Sequence, residues 1–240
     1  MSAASQWGDD HADIYDDFLG ALPDVDQIVE RMGGAGNRVL ELGSGTGRVA
    51  LPLAASGAHV VGVESSERMI DVMRSKQPGS RVVVHAADFT TLALGEVFDH
   101  VLLTRNTLYM VPDQPAQVET MRRAADHLAE SGVLWVDLGI PRPDQNGLSF
   151  GHEFSEGVVT YNRLHEPVSQ ELVFSRIIIG HDRVRVLTSK QRYIWPAELD
   201  LMARLAGLEL VGSYADYLGA AFTPAAPARV AVYQRGKAAA

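Results

Sequence analysis

Gly43, Gly45 and Gly47 alternate through a short stretch flanked by two carboxylates, Glu41 before it and Glu64 after it. Glu41 lies in an apolar run with Val39, Leu40 and Leu42, and Glu64 closes a second run with Val60, Val61 and Val63. A strand that reverses at once into a helix needs backbone angles that glycine adopts cheaply, and the missing side chains let a ligand approach the main chain. The N-terminus of the following helix offers free N–H groups and the positive end of its dipole to an anionic group. A carboxylate at the end of the second strand can take two ribose hydroxyls in a bidentate grip. The spacing therefore predicts a nucleoside-bearing cofactor; the alternative is a turn that only packs a helix on a strand.

Arg48 discriminates between cofactors. The dinucleotide fingerprint G-x-G-x-x-G/A wants a small residue there, which disfavours a nicotinamide or flavin. With Glu41 in front, acid-x-Gly-x-Gly-x-Gly resembles the first motif of class I S-adenosylmethionine (SAM) methyltransferases. That resemblance implies SAM as methyl donor and S-adenosyl-L-homocysteine as product. It implies that Glu41, Gly43, Ser44, Gly45, Gly47 and Arg48 surround the methionine and ribose, the first acid being linked to the amino group, often through water. Glu64 and Ser65 would hold the ribose, and Met69 would sit near the adenine. Ala87, Asp88 and Phe89 would follow the third strand, the acid on the adenine amino group and an apolar neighbour beside the ring. Thr104, Arg105 and Asn106 would follow the fourth strand, where the family builds its transfer site. The opening segment Asp10-His11-Ala12-Asp13-Ile14-Tyr15-Asp16 is similar to the first helix of small-molecule N-methyltransferases, including the amino-sugar N,N-dimethyltransferases of antibiotic pathways. There the tyrosine closes over SAM, so Tyr15 would touch the methionine end or the acceptor; the alternative is an ordinary aromatic of an amphipathic helix.

The elements that must position these residues follow from periodicity. Residues 9–32 read as helical in two pieces broken at Pro23. A helix after the glycine turn runs to about Ser56 with Gly57 as its stop, and Ser66 to Met73 forms the next, capped by Ser65 or Ser66. Strands are expected at Arg81 to His85, Asp99 to Thr104 and Val133 to Leu138, with a helix from Pro115 to Ala129 ended by Ser131-Gly132. This alternation gives a parallel sheet with right-handed crossovers. Residues 141–151, rich in Pro, Gly and polar side chains, read as a loop. Val158 to Leu164, Glu171 to Ile179 and Val184 to Ile194 read as an antiparallel insert. A helix from Pro196 to Ala206 and strands at Leu208 to Tyr214 and Val230 to Tyr233 finish the chain. The fold expected is α/β, a Rossmann-like seven-stranded class I methyltransferase sheet with helices on both faces and the insert after the fifth strand. The order 3-2-1-4-5-7-6, with strand 7 antiparallel, is implied by the resemblance. The expected parts are a helical cap (1–36), a SAM-binding core (37–140), the insert as lid or dimer contact (141–195), and the C-terminal part of the core (196–235).

Composition limits the partners. The chain has 240 residues, a formal net charge of -9 and no cysteine. The negative charge and absence of a basic run argue against nucleic acid, since phosphate contacts need clustered Lys and Arg. No run long enough for a membrane span and no basic-then-apolar leader occur, so a cytoplasmic monomer or homodimer acting on a small molecule or short peptide is expected. No histidine pair has zinc-ligand spacing and no acid cluster suggests magnesium, so no metal is expected. Methyl transfer is in-line displacement with an excellent leaving group, and an amine acceptor must be neutral to attack. Tyr15, Tyr109, His152 and Glu153 are the candidates to accept its proton, each weighed against a solvated or packed loop residue. The function expected is methylation of an amine nitrogen in a natural-product intermediate, an aminosugar or a peptide amine. The alternatives are transfer to a hydroxyl or carboxylate oxygen, and a SAM-binding protein without turnover.

Overall fold

The computed structural model describes residues 3–19, 22–76, 81–154 and 157–236, except for the side chains of residues 3, 4, 18, 19, 152 and 154. The side chain of His152, one of the candidate proton acceptors, therefore lies outside it. Strands β1 (Arg38–Leu42), β2 (His59–Glu64), β3 (Val83–Ala86), β4 (Phe98–Leu103) and β5 (Leu128–Gly139) alternate with helices. Strands β6 (Gly147–Phe154), β7 (Gly157–Glu166), β8 (Glu171–Gly180) and β9 (Val184–Arg192) then form a separate four-stranded sheet. The chain rejoins the first sheet through β10 (Leu208–Tyr214) and β11 (Ala228–Arg235). The seven-stranded order is β10-β11-β5-β4-β1-β2-β3. β11 runs antiparallel to both β5 and β10, whereas β1 to β5 pair in parallel. The expected fold and strand order hold.

β1 lies between β2 and β4, so the chain winds to opposite sides from it. A crevice opens beyond the carboxyl ends of strands at such a reversal, which is where open α/β sheets bind ligands. One apolar cluster covers each face: Leu40, Val61, Phe98 and Leu134 on one, Val39, Val60, Leu102 and Trp135 on the other. Successive strand side chains point to opposite faces, so a strand buried on both sides, such as β1, feeds both.

Four expectations change. The opening segment is three helices, α1 (Ala3–His11), α2 (Tyr15–Leu19) and α3 (Asp24–Met32). Residues 12–14 form a turn between the first two. The helix after the glycine turn, α4 (Ala50–Ala55), begins three residues beyond Gly47, and the Ala50 N–H bonds the Glu41 carboxylate beneath the turn. Further on, α5 (Glu67–Lys76) and α6 (Gln114–Asp126) form as expected, but α6 stops at Asp126. β5 starts at Leu128, and Ser131-Gly132 makes an irregularity inside that strand rather than a helix end. The 141–151 segment yields β6, which sequence reading took for loop. Its glycines spoil the alternation, but pairing with seven residues of β7 provides the ladder that local propensity lacks. Helix α7 (Pro196–Leu205) then leads into β10. No helix among the described residues is long and apolar enough to cross a membrane.

Candidate active site

The glycine turn holds its shape through the strand beside it. Gly43 N and Ser44 N both donate to Val63 O, at 2.8 and 3.0 Å. Gly43 and Gly45 have φ of 76° and 53°, in the left-handed region that costs an L side chain strain. A Cβ on Gly45 would meet nothing closer than Tyr15 Cε1 at 4.0 Å, so it would stand in open space between the turn and that ring. That space belongs to a cavity of about 360 Å³, within the range of small-molecule sites.

Three layers of the chain build its walls. The core sheet supplies Gly43, Gly45, Glu64, Ser65, Met69 and Phe89. The turn after β4 supplies Arg105, Asn106, Thr107 and Met110. α1, α2 and the insert supply Trp7, Gly8, Tyr15, Tyr161, Arg163, Leu172, Phe174, Arg176 and Gln191, which face the core residues from the other side. One face of the insert thus looks into the cavity. The other leaves Leu148, Phe150, Val184 and Val186 exposed.

The two acids differ. Glu64 lines the cavity; its Oε2 accepts from Gly45 N at 2.9 Å and its Oε1 from Ser65 N and Ser66 N at 2.8 Å each. Burial raises its pKa, and those N–H groups oppose the rise. Glu41 lies beneath the turn, 2% exposed and off the cavity wall. Thr104 Oγ1 is 3.5 Å from its Oε1, and its Oε2 has no partner among the described residues. Burial pushes the Glu41 carboxyl up to about 8, against the pull of Arg48 and of the Ala50 N–H at the start of α4.

The turn after β4 is strained. Arg105 and Asn106 have φ of 51° and 64°, a conformation that costs non-glycine residues energy and clusters at functional sites. β5 holds it: Asn106 N donates to Asp137 O at 3.0 Å, and Gly139 N donates to Asn106 Oδ1 at 2.6 Å.

Several expected residues stand elsewhere. Arg48 makes two 2.8 Å bonds to both carboxylate oxygens of Asp24, anchoring the turn to α3 and leaving the cavity wall without it. Ser44 and Gly47 pack inside, against Gly62 and against Met73 with Leu51. Thr104 lies behind the wall with Glu41, and Ala87 packs against the core. Asp88 is exposed and caps the short turn Phe89–Thr91, its Oδ1 accepting from Thr90 N and Oγ1. Tyr109 is not available as a base: its buried hydroxyl donates toward Gly139 O at 2.6 Å, with Ile194 O at 3.2 Å, and burial raises its pKa further. Glu153 is exposed on β6, away from the cavity. Tyr15 does line the cavity, edge-on to Trp7 at 5.9 Å, and burial raises its pKa. Sequence reasoning did not find Trp7, Met110, Tyr161, Arg163, Phe174 or Arg176. The alternation along β7 and β8 put Tyr161 with Arg163, and Phe174 with Arg176, on common faces, but nothing local said which face looks inward.

Residues 39–132 match the family described as Methyltransferase domain. The CcbJ methyltransferase from Streptomyces caelestis is 35% identical, with a TM-score of 0.89 over 99% of this chain and 100% of that one. The Cypemycin N-terminal methyltransferase of a Streptomyces species is 28% identical over 83% of this chain and 84% of its own length. A SAM-bound amino pentose methyltransferase from Micromonospora echinaspora shares the fold, with a TM-score of 0.66, 21% identity, and coverage of 94% of this chain and 91% of that one. A glycine turn and a strand-end acid open on a cavity at the reversal of a 3-2-1-4-5-7-6 sheet, and relatives match across the chain. It belongs to the SAM-dependent methyltransferases.

Proposed function

We propose that the protein transfers the methyl group of SAM to an amine nitrogen of a small molecule or short peptide, with donor and acceptor meeting in the cavity between the glycine turn and the insert. The observation that carries this reading is the cavity's construction, in which Gly45 and Glu64 face Trp7, Tyr161 and Phe174. The names of an N-terminal and an amino pentose methyltransferase among similar proteins support nitrogen, and that of a ubiquinone biosynthesis O-methyltransferase keeps oxygen as the alternative.

The residues present fit the donor. The space a Cβ on Gly45 would fill is left open beside Tyr15, and Glu64 stands on the same cavity wall. When bound, SAM supplies an electrophilic methyl group on a sulfonium whose departure needs no acid. Glu64, fixed by three backbone N–H groups, is held still enough to orient a ribose. Met69 and Phe89 give an adenine its apolar walls, and Asp88, outside the wall, would reach the ring's edge only from the rim. Trp7, Tyr161, Leu172 and Phe174 exclude water from the acceptor side. Holding the partners in line is worth roughly 7–11 kcal/mol, which accounts for most of what such a site must do.

Proton handling also favours an amine. Glu64 is the one acid lining the cavity among the described residues, and no histidine lines it. Tyr15, with its raised pKa, stays a phenol that can position an amine through its oxygen but is no strong base. An amine gives its proton to solvent far more readily than an alcohol does, so it alone needs no base here. The test is calorimetry with S-adenosylhomocysteine, followed by labelled SAM with paired amine and alcohol acceptors and mass spectrometry of the products. Saturable cofactor binding with label on nitrogen is expected. No cofactor binding overturns the donor assignment, and label confined to oxygen overturns the acceptor class.

A further inference from the structure

Three arginines line the cavity, two of them on its insert side, although the chain as a whole carries -9. Arg105, Arg163 and Arg176 all line it. Among the described residues, none of the three is within salt-bridge distance of a carboxylate; the ion pairs formed by arginine use Arg38, Arg48, Arg74, Arg122, Arg123, Arg185, Arg192 and Arg229. Glu64, the acid on the wall, is already committed to three backbone N–H groups. A sulfonium donor brings further positive charge, so this arrangement is unfavourable until an anion enters.

Arg176 is the most exactingly placed of the three. Its guanidinium lies over the rings of Phe174 at 4.8 Å and Trp7 at 5.9 Å, and the Arg163 guanidinium lies over Phe174 at 5.1 Å. Arg176 Nη1 is 3.3 Å from His11 Nε2, while His11 Nδ1 is 2.7 Å from Trp7 O. Nδ1 therefore carries the imidazole proton, and Nε2 presents a lone pair to the arginine. Burial and the neighbouring arginine push His11 down to about 4, so it stays neutral and offers no counter-charge. Burial also lowers the Arg176 pKa, the mark of a cation short of compensation. A guanidinium has five N–H donors; among the described residues, His11 takes one and no other acceptor is bonded to Arg176.

We propose that Arg176, backed by Arg163, forms an anion subsite for a carboxylate on the methyl acceptor, making the acceptor an amine that also carries a carboxylate, such as an amino acid or short peptide. The proposal rests on the methyltransferase reading and names the substrate class of the same site. The donor's own carboxylate is the competing source of the same chemistry. Arg176 projects from β8 among Trp7, Tyr161, Phe174 and Arg163, whereas the donor end is marked by Gly43, Gly45 and Glu64 on the core sheet. Arg105, next to Asn106 and Thr107, lies at that end: a Cβ on Gly43 would fall 2.7 Å from Thr107 Cγ2. A guanidinium-bound carboxylate is a poor nucleophile, which makes it an anchor and leaves the amine to react.

The test uses 3-phenylpropionate and its uncharged isostere 3-phenylpropionamide as probes, titrated into wild-type, Arg176→Gln and Arg176→Lys proteins, both free and saturated with S-adenosylhomocysteine. The wild type should bind the carboxylate roughly tenfold or more tightly than the amide, the value of a charge-assisted hydrogen bond. Arg176→Gln should abolish the preference, and Arg176→Lys, which keeps the charge but loses the fork, should retain part of it. Affinity for S-adenosylhomocysteine should stay within about twofold throughout, because the donor is held elsewhere. Equal binding of the two probes by the wild type overturns the proposal without needing any variant to fold. Retained preference in Arg176→Gln overturns it too, as does a tenfold loss of S-adenosylhomocysteine affinity there, which would give Arg176 to the donor's carboxylate. If the wild type fails to bind S-adenosylhomocysteine, the donor reading falls, and the probe pair on the free protein still decides the anion subsite.

Discussion

At the scale of single residues, carboxylates of the same type have been given different work by their surroundings. Glu64 is a structural brace as well as a candidate ribose ligand, because it satisfies the N–H groups of Gly45, Ser65 and Ser66. Glu64→Ala should therefore weaken S-adenosylhomocysteine binding at least about tenfold and also cost about 1–3 kcal/mol of stability, since buried donors lose their acceptor; calorimetry and denaturant melts read the two separately. Glu41 makes a pH-dependent contribution of unusual sign. Its folded value of about 8 exceeds the ordinary 4.5, so the folded state binds the extra proton between those limits. Stability of the free protein should fall as pH rises through that window and level off above it. In melts across the same pH range, Glu41→Gln should show a flatter profile; an unchanged slope would remove this assignment. Tyr109 separates structure from chemistry: Tyr109→Phe deletes a hydroxyl bonded to Gly139 O, so it should lose about 1–2 kcal/mol of stability. Its kcat should stay near wild type, whereas Tyr15→Phe should depress kcat/KM.

At the scale of elements, the glycine turn is held from outside as well as from β2. The Arg48–Asp24 pair ties it to α3, with side chains only 6% and 14% exposed. Thr46 Oγ1 donates to Asp16 Oδ1 at 2.7 Å, joining the same turn to α2. α1 is fastened to the start of α5 by Ser66 Oγ donating to Asp9 Oδ1 at 2.6 Å. The α1–α2 turn reaches the insert through Asp13 and Arg185 at 3.1 Å. The opening helices are thus clamped between both sheets, which is how Trp7 and Tyr15 come to close the cavity. Asp24→Ala would leave a buried guanidinium unpaired and should cost about 3–5 kcal/mol, while the double replacement Arg48→Met with Asp24→Leu should recover much of it. Denaturant unfolding of the three proteins checks this; equal losses in the single and double variants would show that the pair is not the anchor. Both variants keep every side chain of the cavity wall, so any change in cofactor affinity reports on the turn's position.

At the scale of the whole molecule, the site exists because the insert is folded back over the open end of the core sheet. The parts written locally were legible in the chain: three glycines at fixed spacing, an acid closing a strand, and the apolar runs that mark the strands of the first sheet, whose order came from the family resemblance. Met69, Phe89, Arg105 and Asn106, expected from the family resemblance, do line the cavity, and positions beyond strand ends depend on connection rather than on distant contacts. The same logic misplaced Arg48, Tyr109 and Glu153. Sequence gives an arginine, a tyrosine and a glutamate near the right strands, but their partners Asp24, Gly139 and the solvent are fixed by packing. β6 was missed because its ladder comes from β7 rather than from its own residues. By itself, the sequence determined the donor half of this protein, since a nucleoside-binding turn is a short-range object whose backbone angles and charges are set within a few residues. Only the tertiary structure decided the acceptor half. Trp7, Tyr161 and Arg176 lie far apart along the chain and come together on the cavity wall only when two sheets and the opening helices close together. Only then does burial turn an unpaired arginine into a statement about what must bind.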